Sequence, residues 1–184
     1  MNLADRLLEI HESLDTGGIA HAFGGAIALA YWTLDPRGTS DIDVNLFAPA
    51  DRCSVALDEL PDGIAYDAAA IATILRDGQV RLWWDETPID VFFDYTDLHA
   101  NTARNCRLVP FAGREIPVLG PVELAVFKAM FDRTRDWADI EAMLAAETLD
   151  VDAVREHLVA MVGESDLRLA RLDEAVRRAD LQQN

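Results

Sequence analysis

The chain has 184 residues and a formal net charge of −17, from 33 acidic and 16 basic side chains, with a hydrophobic share of 51%. That length suits one domain, or a small α/β core with a helical appendage, and so large an apolar fraction excludes wholesale disorder. The charge argues against loose, sequence-blind attraction to nucleic acid while leaving room for a local basic groove, and no apolar run is long enough to span a bilayer.

Residues 2–14 have the pattern of an amphipathic helix, interrupted by Asp5, Glu9 and Glu12 and so unlike a signal peptide; Gly17-Gly18 ends it. "IAHAF" is a short strand candidate leading into Gly24-Gly25, and "AIALAYW" is apolar enough for a buried short helix. Asp35-Pro36 and Gly38 mark a turn. From Asp41 to Phe47 the alternation is strict, with Asp41, Asp43 and Asn45 on one face and Ile42, Val44 and Leu46 on the other, which predicts a half-buried strand.

"SVALDEL" and "DAAAIATILRDG" read as helices or partial helices. "QVRLWWD" and "PIDVFFDY" are strands joined by the short Glu86–Pro88 connection, hence an antiparallel hairpin; "RLVPFA" and "REIPVL" form a second hairpin about Gly113. After Gly120-Pro121 come helical segments near 121–131, 134–147, 151–161 and 165–180, with Pro121 suited to a first turn. The layout is an α/β (α+β) core, residues 1–119, with a short mixed sheet flanked by helices, followed by a C-terminal helical region, residues 120–184. Cys53 and Cys106 form no metal-spacing pair, and the histidines at 11, 21, 99 and 157 show no zinc spacing; both fit a reducing, cytoplasmic setting without zinc.

Residues i and i+2 of a strand project from one face, their Cα atoms about 6.5 Å apart. Asp41 and Asp43 therefore aim two carboxylates at one region, as hard cations require, although an ordinary solvated strand face gives the same pattern. A third carboxylate, Asp90, lies in "PIDVFF" between Ile89 and Val91, where it would need a cation facing it. Asp94 shares its parity and is the rival for that place. Gly24-Gly25, between a strand and an apolar helix, can expose backbone N–H groups to phosphate oxygens.

This order of elements resembles the nucleotidyltransferase superfamily related to DNA polymerase β, whose signature is Gly-Gly or Gly-Ser, a spacer, then D-x-D or D-x-E. "FGG" at 23–25 and "SDIDVNLF" at 40–47 carry the match, with 15 residues between Gly25 and Asp41. "GPVELAVFKAMFDRTRDWADIEAML" resembles the lysine and RD-x-x-D region of AbiEii-type (MenT-like) nucleotidyltransferase toxins, through Lys128, Arg133, Arg135, Asp136 and Asp139.

The resemblance implies Mg²⁺-dependent transfer of a nucleoside monophosphate from an NTP, with two metal ions held by Asp41, Asp43 and Asp90. In the toxin branch it implies a pyrimidine donor, CTP or UTP, the 3′ acceptor end of tRNA as target, and a cognate antitoxin as partner. Asp90 would also take the acceptor hydroxyl's proton. Gly24 and Gly25 would cradle phosphates, helped by Thr39 or Ser40. Lys128, the sole lysine beside 15 arginines, would bind the triphosphate, with Arg133 and Arg135 gripping phosphates. Asp136 and Asp139 are read as structural or orienting partners. Thr39 and Ser40, which abut Asp41, are candidate regulatory positions, because some relatives are silenced by modification of a hydroxyl there. Trp83, Trp84 and Tyr95 are either core residues or base-stacking ones. Two other readings compete: a small-molecule nucleotidyltransferase of the aminoglycoside-modifying sort, whose cationic acceptor suits the charge of −17, and an inactive binding module.

Overall fold

The computed structural model describes residues 1–94 and 102–183. Tyr95 and His99 lie outside the described residues, as does the side chain of Asp94. The α/β class expected from the sequence is the one found: a mixed sheet flanked by helices.

The chain divides into two compact units. The first comprises Met1–Ile27 and Gly38–Leu119 and contains the sheet; the second comprises Ala28–Arg37 and the chain from Gly120 onward and is helical.

In the first unit, α1 (Leu3–Thr16) opens with a reciprocal cap between Asn2 and Asp5 and buries Leu7, Ile10 and Leu14 completely. The strands are β1 (His21–Phe23), β2 (Ile42–Pro49), β3 (Ile64–Ala65), β4 (Gln79–Trp84), β5 (Thr87–Asp94), β6 (Arg107–Phe111) and β7 (Arg114–Val118). Their order across the sheet is β3-β4-β5-β2-β1-β7-β6. The β2–β5 and β1–β7 pairs are parallel and the others antiparallel. Ile42, Val44 and Leu46 of β2 and Ile89 and Val91 of β5 are wholly buried on one face. Their neighbours of opposite parity turn the other way, and that second face carries the acidic residues.

Both expected hairpins form. The β4–β5 turn is tighter than the sequence suggests: Trp84 pairs with Thr87, leaving Asp85 (φ 51°) and Glu86 as the loop. In the β6–β7 turn, Ala112 (φ 46°) precedes Gly113 (φ 84°), the paired positive angles of a type I′ turn. One local expectation shifts, and one short strand is added to those expected. A 3₁₀ turn at Ala50–Arg52 leads into α3 (Cys53–Leu57), which takes in only the "SVAL" part of "SVALDEL". The two-residue β3, too short to show a period, pairs with Trp83 and Trp84.

Between β3 and β4 runs α4 (Ala68–Asp77), capped by Asp67 and ended by Gly78 in the left-handed region. From Gly25 to Thr33 runs α2, whose residues from Ala28 onward belong to the second unit. There the helices are α5 (Pro121–Phe131), α6 (Thr134–Ala145), α7 (Val151–Val162) and α8 (Leu167–Gln183). Asp132, left-handed at φ 58°, ends α5; its carboxylate accepts from the Trp137 indole N–H at 2.8 Å and pairs with Arg171. Among the described residues no helix is long and apolar enough to cross a membrane.

A histidine pair joins α1 to β1. His21, buried, lies with Nδ1 2.8 Å from the Ile19 carbonyl and Nε2 2.9 Å from His11 Nδ1. A carbonyl only accepts, so His21 is protonated on Nδ1 and accepts from His11 through Nε2. Burial, aided by the His11 charge, holds the His21 pKa below its ordinary value against the raising effect of the Ile19 bond and Asp15. A depressed folded-state pKa means that the unfolded chain takes up the proton first. Stability is therefore full above about pH 6.5 and declines as pH falls below it. Urea titrations at pH 7.5 and 5.5 should show this loss, and a His21→Gln variant should lose less between the two.

Candidate active site

On the polar face of the sheet, Asp43 of β2 lies in register with Asp90 of β5, and Asp90 with Arg81 of β4. Asp41 precedes β2 by one residue and shares the parity of Asp43. Residues paired across adjacent strands project to the same side, about 4.8 Å apart along the sheet. One row thus reads Arg81, Asp90, Asp43, with Asp41 one step along. All three acids are partly exposed.

The sequence leads one to expect Asp90 among bulky apolar neighbours. Instead, Ile89 and Val91 occupy the opposite face, and the cation that Asp90 needs is Arg81. Its Nε donates to Asp90 Oδ1 at 2.7 Å and its Nη2 to Oδ2 at 2.6 Å, and Nη2 lies 4.0 Å from Asp41 Oδ2. The hydrogen bonds and charge of Asp90, with Asp41 and Asp43 behind them, push the Arg81 pKa above its already high value. Sequence reading missed Arg81. Its signal lay in the hairpin: a two-residue loop pairing Trp84 with Thr87 brings Arg81 opposite Asp90.

Thr39 Oγ1 donates to Asp41 Oδ1 at 2.5 Å, fixing that carboxylate from the turn before it, while Ser40 is exposed. The Gly24 N–H donates to the Asp43 carbonyl at 2.9 Å, so it is committed to the sheet. The amides available to a phosphate are therefore those opening α2, from Gly25 onward, which have no acceptor within the helix. Gly25 has φ 50°, and a Cβ placed on it would lie 1.9 Å from Asp43 Oδ2. Only glycine lets the backbone come so close to that carboxylate.

Trp84 is core: it is buried, it packs so closely on Gly63 that a Cβ there would meet its indole at 2.1 Å, and the Arg6 guanidinium stacks 5.7 Å from its ring centre. Trp83 is exposed, on the same side of β4 as Arg81.

The remaining candidates lie in the second unit. Lys128, buried on α5, donates to Asp139 Oδ2 at 2.6 Å and lies 3.9 Å from Asp136 Oδ1. Arg133 grips Asp136 through two nitrogens, at 2.6 and 3.1 Å. A residue the sequence reading passed over, Arg37, grips Asp139 in the same way, at 2.7 and 2.8 Å, from 102 positions away. Asp136 and Asp139 are almost fully buried, so the two anions and three cations form one dense network. Arg135 is exposed.

Three carboxylates offer the hard oxygen donors that Mg²⁺ takes, and the register of Asp43 with Asp90 sets two of them side by side. The donor set fits, and the glycine at position 25 keeps the approach to Asp43 open. In the described residues, however, no three acidic, histidine or cysteine side chains converge closely enough to enclose an ion. Asp90 is engaged by Arg81 instead.

No protein-family model matches the chain, and no curated protein sequence does. Solved structures do match its fold. The antibiotic-resistance factor ANT(2″)-Ia in solution is 12% identical, with 95% of this chain and 97% of that one covered and a TM-score of 0.60. A crystal structure of ANT(2″)-Ia in complex with adenylyl-2″-tobramycin is 11% identical, with 98% of each chain covered and a TM-score of 0.53. The lincosamide antibiotic adenylyltransferase LnuA, lincomycin-bound, is 15% identical, with 76% and 94% covered and a TM-score of 0.52. At such identities the likeness establishes a shared fold, that of nucleotidyltransferases.

Proposed function

We propose that the protein is a nucleotidyltransferase that moves a nucleoside monophosphate from an NTP to a hydroxyl of a small cationic acceptor. One observation carries the reading: Asp41, Asp43 and Asp90 share one face of a nucleotidyltransferase-fold sheet beside a glycine turn fitted to Asp43. The three carboxylates would hold Mg²⁺, which when bound neutralises the triphosphate and acidifies the attacking hydroxyl. The amides at the start of α2 would orient the donor phosphates. Asp90, once released by Arg81, would accept the hydroxyl's proton. Trp83 supplies an exposed aromatic surface on the same side of the sheet for a base or an acceptor ring.

The acceptor class follows from charge and size. A surplus of 17 negative charges draws a polycation and repels a polyanion. Two of the structures with a similar fold are bound to small molecules, adenylyl-2″-tobramycin in ANT(2″)-Ia and lincomycin in LnuA, which supports a small acceptor.

A second reading, the toxin that modifies the 3′ end of tRNA under restraint by an antitoxin, is favoured by the basic and acidic run from Lys128 to Asp139. Lys128, Arg133 and Arg135 would then serve CTP or UTP, and the site would lie in a cytoplasmic enzyme. On this reading Thr39 and Ser40 are the control point. A phosphate on Thr39 would add up to about two negative charges against the carboxylate its hydroxyl now bonds.

Incubating the protein with each α-labelled NTP and Mg²⁺, offering aminoglycosides in one arm and total tRNA in the other, decides between them. Label on the aminoglycoside supports the first reading. Label on tRNA alone transfers the proposal to the second.

Gly25→Ala tests the glycine turn. The strained backbone should cost about 1–2 kcal/mol of stability, read by urea unfolding. Displacing Asp43 should lower transfer far more, by about 100-fold, since a shift of about an ångström costs that much in a positioned site. An alanine variant with unchanged activity would remove Gly25 from the site.

A further inference from the structure

We propose that Arg81 is a displaceable counter-ion of the carboxylate site, which occupies Asp90 in the resting protein and must leave it before a divalent cation is seated. The proposal rests on the reading of Asp41, Asp43 and Asp90 as the metal-holding set and adds a control on when that set loads.

Four observations carry it. Both nitrogens of the Arg81 fork are spent on both oxygens of Asp90, at 2.7 and 2.6 Å, so the carboxylate faces the guanidinium squarely. The same Nη2 reaches toward Asp41, 4.0 Å away, so one positive charge bridges two of the three acids. Arg81 is nevertheless half exposed, with 50% of its side chain open to solvent, whereas Asp90 keeps only 20%. The cation can therefore swing out while the anion stays. Finally, the strand that flanks β4 on its far side pairs only with Trp83 and Trp84. Among the described residues no strand covers β4 at the level of Arg81, so nothing in the sheet blocks the movement.

The physical consequence is competition. A divalent cation coordinated by Asp90 would sit within a few ångströms of the guanidinium, and two like charges closing on one carboxylate repel. The bare ion therefore binds weakly. A triphosphate arriving with its metal offers oxygen pairs that match the planar fork of arginine, so Arg81 can exchange a carboxylate for a phosphate. The site would load readily with donor and metal together and only weakly with metal alone.

Mn²⁺ binding to the nucleotide-free protein, followed by electron paramagnetic resonance or calorimetry, tests this. Removing the charge in Arg81→Gln should tighten Mn²⁺ binding about tenfold. Arg81→Lys, which keeps the charge without the two-pronged grip, should fall between wild type and Arg81→Gln and guards against a general folding defect. Asp43→Asn should weaken binding. Thermal unfolding gives a second readout: Mn²⁺ should raise the Tm of Arg81→Gln more than that of the wild type. Equal or weaker Mn²⁺ binding by Arg81→Gln overturns the counter-ion role while leaving the metal site standing. Absence of Mn²⁺ binding in the wild type and every variant overturns both.

Discussion

Asp43→Asn lowers nucleotidyl transfer by about 10³-fold with little change in the free energy of unfolding. A metal clamp contributes several kcal/mol of transition-state stabilisation, and about 4 kcal/mol corresponds to that factor. Asp43 stands at the centre of the site, between Asp41 two residues before it and Asp90 across the parallel register, with Gly25 shaped to its Oδ2. The amide is nearly isosteric, so packing is preserved. Removing one of three gathered negative charges relieves repulsion, which offsets the lost attraction to Arg81, and stability changes by no more than about 1 kcal/mol. Steady-state rates with labelled NTP and urea unfolding of the same preparation check both halves. A variant that lost stability and activity in parallel would place Asp43 in the scaffold, not in the chemistry.

Lys128→Met destabilises the protein by about 3 kcal/mol, the low end for breaking a buried ion pair. Lys128 is 7% exposed and bonds Asp139 at 2.6 Å, with Asp136 at 3.9 Å. Its loss leaves both acids buried and removes the one buried cation of the three that hold them. Arg37 still holds Asp139 and Arg133 still holds Asp136, which keeps the penalty at the low end. The same variant separates the two roles open to this lysine. If Lys128 serves the triphosphate, KM for the NTP rises steeply in the protein that remains folded. If it only locks the helical unit, KM is unchanged and the loss is in stability alone. Urea unfolding with saturation kinetics reads the two independently.

How far the sequence reached depends on the range of each signal. The alternation at 41–47 put Asp43 on a strand and Asp41 on the same face, one residue ahead of β2, and the apolar run at 88–95 put Asp90 on another strand, because parity is written into adjacent residues. Gly25 stood out as a glycine at a strand-to-helix turn, and the structure adds the reason for it, the nearness of Asp43 Oδ2. Gly24 differs: its N–H belongs to the sheet, a commitment visible only once β1 and β2 are paired. Arg81 was encoded one level up, in the register of a hairpin whose loop length had to be settled first. Arg37 was beyond reach, since nothing local ties a turn arginine to Asp139, 102 positions on. Two-residue β3 and the attachment of residues 28–37 to the helical unit were equally illegible, being products of packing rather than pattern.

Donor chemistry is the most direct test of the carboxylate site. With an α-labelled NTP, Mg²⁺ and an aminoglycoside mixture, the wild type should release pyrophosphate and carry the labelled monophosphate to the acceptor. Asp41→Asn and Asp43→Asn should each cut both products about 10³-fold in parallel. Wild-type protein that releases no pyrophosphate from any of the four NTPs, with the aminoglycosides or with tRNA, would contradict it, as would release that persists undiminished in Asp43→Asn.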